Sequence, residues 1–308
     1  MRALQVRMAV FLVTVWLIVS VGFVCVYKLP GDPARMILGR QASQQSVDNF
    51  RHYAGLDQPL WRQYGNFVRR AAIGDFGDSL LYRRPVTVLI RERSRLTLLL
   101  VLYSFVVVLL AAFIVPLSLR LLRTPRIDEP FQMLATALGI APPYILGVVL
   151  LAIFAGALGW VSVIFDPRRI KDWILPAVVL AAYPTSVVLR LFDSELGKVL
   201  HATYVLRARA MGFGSRGVLL REALPNALTA ALPALANAVA VFVTGTFFVE
   251  VIFGIPGLGR LTYEAIANKD IALLSALCLV FAFAISTISA LLDLGRLMID
   301  PRLRESHA

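Results

Sequence analysis

The feature that most constrains this chain is a series of apolar runs, each long enough to cross a bilayer. The first, Met8 to Tyr27, holds twenty residues, the length a helix needs to traverse about 30 Å of hydrocarbon. Further runs follow at about Leu96–Leu119, Met133–Leu158, Trp173–Phe192, Ala227–Phe253 and Ile271–Leu292. Six such runs predict an all-α integral membrane protein with six transmembrane helices. Charged residues make up 16% of the chain, against about 25% in soluble domains, which agrees. The first run lacks the short core and small-residue cleavage site of a secretory signal, and Val24 before Cys25 argues against a lipoprotein cleavage box. It is expected to be a retained helix.

The net charge of +12 does not point to nucleic acid, because the basic residues are spread over loops between apolar spans. With the amino terminus inside, 14 Lys/Arg lie on the cytoplasmic side and 17 outside. Long loops translocate with little regard to charge. Without residues 34–95 the outer count falls to 6, which puts both termini in the cytoplasm. Arg83 to Arg95, beside the second span on the outer side, stand against the rule. Cys25 and Cys278 fall inside apolar runs and imply neither disulfide nor metal site. His52, His201 and His307 show no ligand spacing.

The most polar stretch of the second half is Tyr204 to Pro225, YVLRARAMGFGSRGVLLREALP. Tyr204, Ala208 and Met211 recur at helical spacing, and Gly212 and Gly214 supply a break. Ser215 is placed to cap a second short helix carrying Val218, Leu219 and Leu224. The expectation is a helix, a glycine turn and a helix projected into water, with Arg207, Arg209, Arg216 and Arg221 as its basic face.

Ala208, Gly212, Leu224 and Pro225 stand at the spacing of the cytoplasmic coupling loop of ABC-importer permeases, which this segment resembles. The glutamate of many sugar permeases is replaced by Leu206, and ARAMGF followed by LLREALPNAL is similar to the peptide-importer branch. The resemblance spans nearly the whole chain. LPGDP (29–33) closes the first span; GLDQPL (55–60), GDFGDS (74–79) and Arg84-Pro85-Val86 look like the extracytoplasmic region of peptide and nickel permeases. VEVIFGIPGLGRL (249–261) and the ending at residues 298–304 complete the set.

The resemblance implies a type I ABC-importer permease-like fold in the bacterial cytoplasmic (inner) membrane. Its parts would be residues 1–33 (amino terminus and first helix), 34–95 (a long extracytoplasmic segment), 96–295 (a five-helix core with the coupling loop at 204–225) and 296–308 (a cytoplasmic tail). The implied partners are a homologous second permease, two ABC ATPases that bind the ATP and Mg, and an extracytoplasmic substrate-binding protein. The implied cargo is a dipeptide or oligopeptide, with a nickel complex or glutathione as alternatives. The chain itself is expected to be neither enzyme nor cofactor carrier. Its ATPase-coupling residues would be Tyr204, Arg207, Ala208, Arg209, Ala210, Gly212, Gly214, Arg216, Leu224 and Pro225. At the outer mouth Asp75, Asp78, Arg84, Glu250, Pro256, Gly257 and Gly259 are candidates for contact with the binding protein. Residues 34–95 have two roles open, meeting that protein or ordering the mouth as a solvated loop. Glu250 can meet a peptide amino group, gate the path, or be solvated or paired at the outer end of its span.

Glycines at 212, 214 and 217 match a dinucleotide fingerprint, but no strand precedes them. Gly254 to Gly259 has phosphate-loop spacing, but Arg260-Leu261 replace the Lys and Ser/Thr that the chemistry needs. An ion-coupled secondary transporter is expected to carry charged relays in its spans, and these spans are nearly charge-free. A membrane enzyme would need a His, Asp or Ser constellation facing a cavity, and the chain offers none.

Overall fold

The fold is known from a computed structural model, which describes residues 13, 14, 16, 17, 20–24, 33–39, 41–53, 55–122 and 125–299, the last eight as backbone only. Most of the first expected span, residues 29–32 of LPGDP, Cys25 and the ending 300–308 lie outside the described residues. The chain divides into two compact units. One comprises Met1–Thr97, Pro256–Leu291 and Arg304–Ala308; the other comprises Leu98–Ile255 and Leu292–Leu303.

In the first unit, α1 (Pro33–Leu38), α2 (Gln44–Tyr53) and α3 (Leu60–Ala72) are short. The amphipathic α3 turns Tyr64 and Phe67 onto Phe23 of the first apolar run, with ring centroids 5.4 and 5.7 Å apart. Trp61 and Val68 of the same helix are exposed. The unit also holds α10 (Leu258–Ala267) and the described start of α11 (Ile271–Ile299). Gly254 makes a turn, at φ +68°, and α10 follows it because Leu258, Leu261 and Ala265 form a helical stripe. That stripe is buried with Val86, Leu89, Leu273 and Leu277.

Helix α4 (Val86–Leu121) therefore begins ten residues before the expected span. Val86 and Leu89 anchor that extra length in the first unit, so part of the expected polar segment is helical. Arg84 and Arg93, two of the arginines that offend the positive-inside count, have partners. Arg84 pairs with Glu92 at 2.6 Å, and Arg93 donates to the Pro256 carbonyl at 3.2 Å.

The second unit is a helical bundle around α7 (Ile170–Leu200). Within the apolar window of α7, 67% is buried, against 22% for α4 and 28% for α9 (Val218–Phe253). Helix α7 is therefore the centre, and α4 and α9 keep apolar surface outward, as lipid contact requires. Helix α5 (Pro125–Ile140) crosses α7 at very short range. A Cβ on Gly139 would fall 2.3 Å from that of Ser186, so only glycine fits. Trp173, at the start of the expected span Trp173–Phe192, is a core residue. Its Nε1 donates to the Pro167 carbonyl at 3.1 Å, and its ring lies against Tyr103 and Phe165; Trp160 stays exposed.

Proline explains the irregular places. Between α5 and α6 (Pro143–Ala157) the chain turns by 112°, far more than a kink. Pro143 forces Pro142 out of the helical region, to φ −55° and ψ 135°. The wide turns Leu110–Ile114 and Val218–Ala223 each surround the carbonyl four residues before a proline, Pro116 or Pro225, which a proline can neither bond nor approach. Pro184 and Pro233 lie within unbroken helices.

Among the described residues four helices are long and apolar enough to span a membrane, or five if the bent pair α5–α6 counts as one. No strand is formed there; Asp78 and Pro85 make one isolated bridge.

Candidate functional site

The segment expected to couple to the ATPases, called the coupling segment below, starts where α7 ends. Helix α8 (Thr203–Ala210) stops at Gly212, whose φ of +90° is open to glycine and strained for other residues. The Val218 N–H then bonds the Gly214 carbonyl at 3.0 Å, so a new helix opens at Ser215. This helix is not the separate short element expected. It runs through the wide turn Val218–Ala223 into Leu224 and on to Phe253 without a break, and Leu224 and Pro225 belong to it.

Burial divides the segment into a root and a face. Val205 and Val218 are fully buried against Val199 and Leu200 of α7. Leu219, Ala223 and Ala227 join Phe192 and Leu196 of α7 and, on α4, Leu117 and Leu121. Outward stand Tyr204 (44% exposed), Met211 (73%), Phe213 (43%) and Leu220 (43%). Arg207, Ala210, Gly212, Gly214, Arg216, Arg221 and Pro225 are also exposed, while Leu224 is half-buried. Tyr204 and Met211, two members of the expected helical face, are exposed, and Val205 is the inner residue. The side chains of Ala208 and Arg209 lie outside the described residues, although α8 carries their backbone.

The outer candidates divide between the two units. Asp75, exposed, accepts from the Gly77 N–H and Arg70 Nε, both at 2.8 Å, and these contacts hold its carboxyl below the ordinary aspartate range. Asp78 is exposed, and Arg84 is engaged by Glu92. Pro256, Gly257 and Gly259 lead into α10 in the same unit. Glu250 belongs to the second unit and is fully buried, which rules out a solvated role.

Several residues that organise the first unit around these candidates escaped the sequence reading. Asp270 is fully buried and accepts from Ser79 Oγ at 2.5 Å and from the N–H groups of Leu81 and Leu273, each at 3.1 Å. It caps α11 and ties residues 79–81 to it. Thr97 Oγ1 accepts the first N–H of α10, from Leu258, at 2.8 Å. Tyr82 donates to Glu264 at 2.5 Å, and Arg260 holds the other Glu264 oxygen at 3.1 Å. Burial, then the Glu264 carboxylate, pushes the Tyr82 hydroxyl up to about 12. Ser79 and Asp270 are 191 residues apart, so no local pattern pairs them.

Among the described residues no cluster of three or more His, Cys, Asp or Glu could hold a metal ion. His52 faces Asp57 at 2.8 Å, and His201 bonds the Gly197 carbonyl. The glycines at 212–217 follow a helix, with no strand before them.

Comparison with known proteins gives a consistent result. Residues 108–305 match the family described as "Binding-protein-dependent transport system inner membrane component". Residues 1–82 match the corresponding N-terminal family. The glutathione transport system permease protein GsiC of Escherichia coli (strain K12) is 31% identical over 292 residues, 94% of this chain and 95% of that protein. GsiC of Salmonella typhi is 32% identical over the same coverage. Among solved structures, an amino acid ABC transporter crystallised with histidines covers 68% of this chain and 92% of its own, with a TM-score of 0.53 at 18% identity. That likeness bears on the fold alone.

Proposed function

The chain belongs to the family of binding-protein-dependent transport system inner membrane components, and from that premise we propose a complete assembly and cargo for it. It is a permease subunit of an ABC importer of the peptide/nickel family, a multi-pass protein of the inner membrane. In the assembly it pairs with a homologous permease, stands on two ATPases that bind ATP and Mg, and receives dipeptides or oligopeptides from an extracytoplasmic binding protein. Six helices span the bilayer, with Met8–Tyr27 as the first and α5–α6 as one broken span. Both termini and the segment 203–225 face the cytoplasm. Residues between the first span and α4, together with α10, form the outer side.

The observation that carries this reading is the divided coupling segment. An apolar and basic face of Tyr204, Arg207, Met211, Phe213 and Arg216 is exposed, while Val205 and Val218 fix its root in the bundle. Exposed aromatic and Met side chains beside arginines are the composition of an interface core. A face held firmly from behind transmits a push instead of absorbing it. Closure of the ATPases on ATP would displace this face and, with it, α7 and α9, to which it is covalently joined.

A second cargo is favoured by the relatives, which are named as glutathione permeases. Gentle-detergent purification of the tagged protein, with mass spectrometry of its companions, tests the assembly. Recovery of an ATPase, a second permease and a binding protein is expected. The purified binding protein, titrated with dipeptides, longer peptides and glutathione, then decides the cargo. Isolation of the chain alone, in a form that transports without ATP, would refute the proposal.

A further inference from the structure

The bundle contains an ionic cluster that neither the span pattern nor the coupling segment uses. Arg120, on the last turn of α4, bonds the Asp193 carboxylate of α7, and its Nε lies 3.8 Å from Asp128 on the first turn of α5. Gln132 of α5 donates to both carboxylates, at 3.0 Å to Asp128 and 3.4 Å to Asp193. Three helices meet here through directional contacts between partly buried groups, with side-chain exposures of 23% for Arg120, 31% for Asp193 and 16% for Asp128.

The neighbours of the cluster give it a role. Arg120 lies between Leu117 and Leu121, and Asp193 between Phe192 and Leu196. Those four apolar residues pack with Leu219, Ala223 and Ala227 at the root of the coupling segment. The same turns thus carry an apolar contact with the coupling root and an ionic contact among α4, α5 and α7. Apolar packing resists separation but is non-directional, so it lets helices slide. A guanidinium shared between carboxylates fixes their relative position, because its donors have a fixed geometry.

We propose that Arg120, Asp193 and Asp128 are positioning residues of the transport cycle. They form a joint that passes displacement of the coupling root from α7 to α4 and α5. The joint is uneven: Arg120 bonds Asp193 directly, while its Nε lies 3.8 Å from Asp128. Arg120 Nη1 is buried without a hydrogen-bond partner, a state folded proteins avoid. A small shift of α5 against α7 changes the looser contact first, so the cluster answers to movement of the coupling root. This inference rests on the ABC-permease reading.

The test uses the whole purified complex in proteoliposomes with its binding protein, measuring substrate taken up per ATP hydrolysed. Asp128→Asn leaves the Arg120–Asp193 pair intact and is the decisive variant. Uptake per ATP should fall about tenfold or more, with normal membrane level and assembly, because α5 is no longer tied to the guanidinium by charge; a factor of ten corresponds to about 1.4 kcal/mol of coupling. Arg120→Gln should do the same, and Arg120→Lys should recover part of the loss by restoring charge without the fork. Wild-type stoichiometry in Asp128→Asn and Arg120→Gln would overturn the joint. So would uptake falling only in step with the amount of assembled complex, which is the mark of a purely structural pair. Wild-type complex without ATP-dependent uptake would instead refute the transporter reading beneath it.

Discussion

The segment 203–225 and the region around Asp270 are both polar, and they differ in what they bury. Around Asp270 polar groups reach inward: fully buried Asp270 accepts three hydrogen bonds, and half-buried Glu264 is held by Tyr82 and Arg260. At its surface Arg70 pairs with Asp75 and Arg84 with Glu92, while Arg69, Arg83 and Arg95 are exposed without an ion pair among the described residues. In the segment 203–225 the root is apolar, built on Val205 and Val218. There Arg207, Arg216 and Arg221 form no ion pair among the described residues, and they stand beside exposed Tyr204, Met211 and Phe213. Arginines without an acid partner occur in both regions, so they do not by themselves mark a docking face. What sets the segment apart is an apolar root beneath a face that is both aromatic and basic, where the Asp270 region is locked by buried polar contacts.

The largest effect that would break this contrast is expected at Gly212. Proline requires φ near −65°, and the site holds +90°, so Gly212→Pro should abolish uptake while the protein still reaches the membrane. Reversing charge at Arg207 and Arg209 together should do likewise, and normal uptake in both would remove the docking face from the account. A large residue at Ala208 should spare ATP hydrolysis and cut uptake, measured as substrate per ATP, by about tenfold or more, equivalent to roughly 1.4 kcal/mol of lost contact. On the outer side, Asp270→Ala strands Ser79 and two backbone N–H groups, each worth about 1–3 kcal/mol when unpaired. It should lower the melting temperature in detergent yet leave ATPase recovery unchanged; loss of ATPase would mean that the outer region is not self-contained.

The smallest effect is expected for Tyr82→Phe, which removes one hydrogen bond worth about 1 kcal/mol. The Tyr82 hydroxyl is raised in the fold, so its contribution is complete below the unfolded tyrosine value of about 10 and fades as pH rises through about 12. The melting difference between wild type and Tyr82→Phe should therefore be flat between roughly pH 6 and 9. A slope in that window would show that another group is titrating with it.

Much of the membrane architecture was legible because apolar run length is a local property. The cores of α4, α7, α9 and α11 all sit on expected spans, and Gly212 breaks the chain where the sequence placed a break. The ends were less legible. Helix α4 starts at Val86 because Val86 and Leu89 find partners in α10 and α11, which local hydropathy cannot foresee. In α8, eight residues of mixed polarity supply no dominant stripe, so the spacing of Tyr204, Ala208 and Met211 marks a helix without saying that Val205 is its inner residue. Asp270 with Ser79 and Arg120 with Asp193 were illegible for one reason: each pair joins distant positions, and either member alone looks like an ordinary loop or helix-end charge. The 112° turn at Pro142 falls inside the expected span Met133–Leu158, and its size depends on Pro143 acting on Pro142.

The continuity of α9 has a mechanical consequence. Its 36 residues extend about 54 Å at 1.5 Å per residue, against a hydrocarbon thickness of about 30 Å. Some 24 Å of one rod therefore stands outside the apolar layer when the helix is upright, and the part beyond the membrane cannot be moved without tilting the part within it. With a fulcrum at mid-bilayer, the projecting end sweeps further than the opposite end for any given tilt. In the transport cycle proposed above, such a rod would act as a reduction gear, turning a wide stroke at the coupling end into a short, forceful one at the far mouth.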